Sequence, residues 1–239
     1  MADRDSALRV LTALQRSPVG DAAVLVGSSG LFGFPTEVPA LTEDVDVAVP
    51  EAAVARHGRE IVEALREQGF EHDAGTATFI GPDGAIFDLL GHGDPGQGDH
   101  IGGTETLRVM VFEDLSRVLS DPSTTAVLAA GGRALTPAAF VVSKLLTERA
   151  HKGAKDKIQA LLVLAEREEE IFTDEVVRLL RDLAPERLDD VRAGAQSAYF
   201  SLQGDPAFSD AGAEGYAPVV RQVETGLERL LAILEKLDG

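Results

Sequence analysis

The 239-residue sequence contains no cysteine and no tryptophan, only two tyrosines, and 22 Lys and Arg against 40 Asp and Glu. Without cysteine there is no disulfide framework, no thiol nucleophile and no Cys-ligated zinc or iron-sulfur site. With aromatics at 5% of residues, platforms on which nucleic-acid bases could stack are in short supply. The net charge of -18 repels polyanions, so general nucleic-acid binding is not expected and only a local basic patch would support it. No apolar run approaches the roughly 18 to 20 residues needed to cross a bilayer, and the opening MADRDSALRV lacks a basic segment followed by an apolar one. The expectation is a cytoplasmic protein with no membrane partner.

What is present is ordinary globular chemistry. Hydrophobic residues make up 44% and charged residues 26%, and the length suits one large domain or two small ones. Leu8, Leu11 and Leu14 predict a short amphipathic helix over residues 3–16, stopped near Pro18 and Gly20. The apolar runs 22–26 and 45–49 read as buried strands, and residues 51–68 as a crossover helix ending before Gly69. Residues 76–80 and 85–90, separated by Gly81-Pro82-Asp83-Gly84, predict a hairpin, with further strands at 107–112 and 125–129. The glycine-dense stretch 91–103 predicts a mobile surface loop. From Thr136 and Pro137 onward the apolar spacing is helical. The expected fold class is α/β (α+β): a mixed-sheet domain over residues 1–135 followed by a helical domain over 136–239.

The chemistry concentrates between Val24 and Val49. The first strand runs into Gly27-Ser28, and a later strand opens Asp44-Val45-Asp46. Alternation along a strand points Asp44 and Asp46 to one side and Val45 and Val47 to the other. Two adjacent carboxylates repel unless a cation lies between them, and Mg²⁺ prefers carboxylate and phosphate oxygens. A glycine at the turn lets backbone approach a phosphate closely. Asp88, inside the apolar run 85–90, is a third acid that needs a partner. If its strand neighbours that of Asp44 and Asp46, three acids could hold two metal ions, with Asp88 nearest an acceptor hydroxyl.

Taken together, Gly27, Ser28, Asp44, Asp46 and Asp88 resemble the signature of the DNA polymerase β-type nucleotidyltransferases, which runs strand, Gly-Ser, spacer, Asp-x-Asp, later acid. Lys144 with Arg149, Lys155-Asp156 and the apolar helix that follows are similar to a segment of the bacterial AbiEii-like, minimal branch. The resemblance covers residues 20–165. It implies a nucleotidyltransferase-like domain that moves a nucleoside monophosphate from an NTP donor to an acceptor hydroxyl on a small molecule, a protein or an RNA. It further implies two Mg²⁺ ions on Asp44, Asp46 and Asp88, phosphates held by Gly27 and Ser28, Lys144 on the nucleotide phosphates, and Asp156 organising the site. A second reading keeps the fold as a non-catalytic scaffold that engages a protein partner in a toxin-antitoxin or defence pair. Each residue also has a plain structural alternative: a solvated strand end for the paired acids, a tight turn for Gly27-Ser28, a surface lysine lying along its helix for Lys144, and a helix N-terminal acid for Asp156. His92, Asp94, Asp99 and His100 lack the spacing of a metal site.

Overall fold

Asp3 starts the first helix by accepting the N–H of Ser6 on its carboxylate at 2.7 Å. Helix α1 (Arg4–Leu14) then buries Ala7, Val10, Leu11 and Leu14 on one stripe. The computed structural model describes residues 2–40, 42–129, 131–147, 153–204 and 213–238. It divides into two compact units, residues 1–35 with 39–136, and residues 36–38 with 137–239. Among the described residues, no helix is long and apolar enough to cross a membrane.

The first unit is built on a mixed sheet. Its strands are β1 (Val24–Leu25), β2 (Asp44–Pro50), β3 (Glu71–His72), β4 (Thr78–Ile80), β5 (Ile86–His92), β6 (His100–Gly103), β7 (Arg108–Val111), β8 (Thr125–Val127) and β9 (Arg133–Leu135). They lie in the order β3-β4-β5-β2-β1-β9-β8, with β7 joining β5 and β6 joining β7. Helix α2 (Glu51–Arg66) and the short α3 (Glu113–Leu119) complete the unit. The inward residues Val45, Val47, Phe87 and Leu89 are fully buried in one core with Leu11, Leu14, Ile61 and Leu65. Phe79 and Phe87 stack there with ring centroids 4.8 Å apart, and Phe70 meets Phe87 edge-on at 5.4 Å. Helices α1 and α2 and the predicted hairpin stand near their expected places, α3 is not among the expected helices, and β1 is shorter than expected because the chain turns into 3-10 geometry at Gly27.

The glycine-dense stretch departs from its expected loop. Strand β5 runs on through His92, and His100–Gly103 pairs antiparallel with β7 in the register His100↔Val111 to Gly103↔Arg108. Edge pairing needs backbone donors and acceptors rather than side chains, so glycine did not prevent it. His100 anchors this strand: Nδ1 lies 2.9 Å from Gly98 O, and Nε2 lies 3.2 Å from Glu51 Oε1, at ion-pair distance but without hydrogen-bond alignment. The Gly98 carbonyl, followed by Glu51, raises the imidazole above its ordinary value. Its folded-state pKa thus exceeds its unfolded one, so its contribution is fully present below about pH 6.5 and is lost as pH rises through the folded value. His92 is shifted the other way, downward, by burial. The stability difference between wild type and His100→Gln, read as urea midpoints, is therefore expected to shrink from about pH 5.5 to about pH 8; a difference that grows would refute the assignment.

The second unit contains helices α4 (Pro137–Leu146), α5 (Gly153–Glu166), α6 (Glu170–Leu183), α7 (Leu188–Gly204) and α8 (Ala213–Asp238). Helix α5 packs against α4, α7 and α8. Gly226 makes the α5–α8 approach possible, since a Cβ there would lie 1.9 Å from the Leu161 carbonyl oxygen. Cations cap the helix ends, as the outward carbonyls of a C-terminus favour. Lys157 Nζ donates to Lys144 O, Leu145 O and Thr147 O at 3.2, 2.6 and 2.6 Å. Arg229 Nη1 donates to Leu164 O and Arg167 O, both at 2.9 Å. Residues 36–38 belong to this unit because the Thr36 hydroxyl and the Glu37 N–H both donate to the Glu166 carboxylate.

Candidate metal centre

Strands β2 and β5 run parallel and adjacent, in a register that sets Asp46 directly opposite Asp88 and Asp44 opposite Ile86. Their valines, Phe87 and Leu89 take the core side, so all three aspartates emerge on the other side, each half-buried. Asp44, Asp46 and Asp88 each offer a carboxylate oxygen within 4.8 Å of the other two. Three acids at that spacing repel strongly, and a hard divalent cation relieves the repulsion while taking oxygen ligands. The donor set fits Mg²⁺: carboxylates only, with no imidazole or thiolate that would favour a softer ion.

The surrounding backbone fixes two of the acids. Ser29 Oγ accepts the Asp46 N–H at 3.1 Å and donates to Asp44 O at 3.3 Å. The Val26 N–H donates to Asp46 O at 3.1 Å. Thr42 Oγ1 donates to Asp44 Oδ1 at 2.6 Å, holding that carboxylate in one rotamer. Gly27 has φ of 57°, and a Cβ on it would lie 2.1 Å from Asp46 Oδ2. Only glycine combines that left-handed backbone with the space the carboxylate occupies. Ser28, next to it, is buried at 5% exposure.

Asp88 is held differently. It has Thr78 as its Cα partner across β4 and β5, and Thr78 Oγ1 donates to Asp88 Oδ1 at 2.5 Å. Thr78 itself is exposed. Comparison of the chain with family models, curated proteins and solved structures finds no match.

Lys144 and Asp156 stand apart from this cluster in the sequence and meet each other in the helical unit. Lys144 Nζ donates to Asp156 Oδ1, and both residues are 6% exposed. Lys144 Nζ also lies 5.8 Å from the centre of the Phe140 ring. The pair joins α4 to α5, a structural role that the helical Lys and Lys-Asp spacing did not disclose. Arg149, named with Lys144 in the sequence, lies outside the described residues.

Ser29, Thr42 and Thr78 were not among the residues singled out from sequence. The hairpin supplied a usable signal for Thr78. With Ile80 opposite Ile86 across the Gly81–Gly84 turn, counting outward two residues on each strand brings Thr78 to Asp88. Ser29 and Thr42 carry no comparable signal, since their roles depend on how the chain between β1 and β2 curls back.

Proposed function

We propose that the chain is a metal-dependent nucleotidyltransferase of the polymerase β type, its mixed-sheet unit forming the nucleotidyltransferase domain. The observation that carries this reading is the convergence of Asp44, Asp46 and Asp88 from two adjacent strands beside the glycine turn at Gly27. Asp44 and Asp46 would hold Mg²⁺, with Asp88 completing the set. Such ions supply electrostatic stabilisation of the phosphoryl oxygens and acidify the acceptor hydroxyl. The acceptor oxygen attacks the α-phosphorus of an NTP, the bond to the bridging oxygen of the β-phosphate breaks, and pyrophosphate leaves. Asp88 accepts the hydroxyl proton, and the Gly27-Ser28 turn receives the β and γ phosphates. Lys144, expected on the nucleotide phosphates, and Asp156, expected to organise the site, are paired with each other in the helical unit. The local charge favours an acceptor that is not itself polyanionic.

Calorimetric titration of each NTP with Mg²⁺ tests the reading directly. Wild type is expected to bind one NTP in a metal-dependent manner, and Asp44→Ala/Asp46→Ala to show no heat above dilution. Absence of binding by any NTP to the wild type, up to millimolar nucleotide, would sink the proposal.

A further inference from the structure

A nucleotidyltransferase needs a hydroxyl beside the third acid of its site, and this chain already places one there. Thr78 Oγ1 lies 2.5 Å from Asp88 Oδ1, with its hydrogen directed at the carboxylate. The register of β4 against β5 makes this a fixed neighbour, because Thr78 and Asp88 are directly paired across the two strands. Among the described residues, Ser29, Thr42 and Thr78 bond to residues of the triad, and Ser28 and Ser29 follow the Gly27 turn beside it, giving four hydroxyl side chains. Ser28, Ser29 and Thr42 are buried, at 5%, 0% and 8% exposure, whereas Thr78 is exposed. Ser29 is also occupied by the Asp44 and Asp46 backbone, and Thr42 by both oxygens it meets on Asp44. Of the four, only Thr78 joins an accessible oxygen to a carboxylate able to take its proton.

We propose that Thr78 is a nucleotidylation site modified by the chain's own triad, an inference that rests on the transferase reading above. The balanced step is simple. Thr78 Oγ1 attacks the α-phosphorus of an NTP, the bond between that phosphorus and the oxygen bridging to the β-phosphate breaks, and pyrophosphate departs with the bond's electron pair. A phosphodiester links Thr78 to the nucleoside, and the hydroxyl proton passes to Asp88 and then to solvent. Geometry makes the reaction intramolecular, since the hydroxyl and its base belong to one sheet. The product remains in the site that made it, so each chain reacts once, and the modified chain no longer offers Asp88 to an outside acceptor. Self-modification thereby limits the enzyme's own activity.

The experiment is intact-mass analysis of the purified full chain after incubation with each NTP and Mg²⁺, followed by peptide mapping, with metal-dependent NTP binding measured in parallel by calorimetry. Expected for wild type is a gain of one nucleoside monophosphate residue, located on Thr78, at a first-order rate that does not change over a tenfold protein dilution. Thr78→Val, which removes the hydroxyl, is expected to gain no mass, while Thr78→Ser, which keeps it, keeps the gain at residue 78. Binding without any mass gain overturns the modification and leaves the transferase reading standing. Mass gain on another residue, or a rate that falls with dilution, also overturns it. Failure of the wild type to bind any NTP overturns both.

Discussion

Gly27→Ala is expected to eliminate metal-dependent nucleotide binding and to destabilise the fold by about 1–3 kcal/mol, a typical cost for a non-glycine residue held in a sparsely populated backbone region. Two effects combine at this position. The backbone sits at φ of 57°, and the new methyl would stand 2.1 Å from Asp46 Oδ2 and 2.9 Å from its Cγ. Asp46 cannot yield by shifting along its strand. Its N–H is held by Ser29 Oγ, its carbonyl by the Val26 N–H, and its Cα by pairing with Asp88. The carboxylate must swing away, and the triad loses its middle member. Gly84→Ala provides the control: Gly84 also has positive φ, at 80°, but nothing lies within 4 Å of its would-be Cβ. That variant should show backbone strain alone, with nucleotide binding intact. Urea denaturation and calorimetry on the two variants separate strain from collision; equal nucleotide binding in both would refute the role given to Gly27.

Lys144→Met is expected to cost about 3–5 kcal/mol, the usual consequence of leaving one member of a buried ion pair unmatched. Asp156 is 6% exposed and would lose the Lys144 ammonium that donates to it. The double variant Lys144→Met/Asp156→Leu should recover most of the loss, because an apolar pair needs no compensation. The expected pattern in chemical denaturation is one strongly destabilised single variant and a double variant near wild type. A double variant weaker than the single one would show that the pair contributes net attraction beyond mutual neutralisation. Nucleotide binding measured on the folded double variant should equal that of wild type, and its loss would return Lys144 to the phosphates.

The parts of the fold that could be read from sequence are those in which local pattern and final environment agree. Helix α2 buries Val54, Ile61, Val62 and Leu65 at helical spacing, across a kink at His57, and has a glycine past its end, and the β4–β5 hairpin has a turn sequence with few alternatives. The acids of the candidate centre were visible for a related reason, since charged residues interrupting apolar strands demand an explanation. Their meeting was not visible. It depends on β5 lying parallel to β2, a pairing between segments about forty residues apart that no local rule fixes. Strands β3 and β9, two and three residues long, fall below the length at which alternation can be recognised. The same limit concealed β6, whose glycines and histidine read as loop until β7 supplied an edge to pair with.

Residues 36–38 give the chain an order of assembly. They are made early, yet their hydrogen-bond partner is Glu166, separated from them in sequence by 130 and 129 residues. During synthesis the stretch joining the Gly27 turn to the Asp44 strand therefore emerges long before the helix end on which it settles. The first unit can close its core while that stretch is still unanchored, and docking on Glu166 must follow translation of α5. A fragment beginning at residue 137 would consequently lack the Thr36 and Glu37 donors to Glu166, so the second unit is not a single continuous stretch of chain.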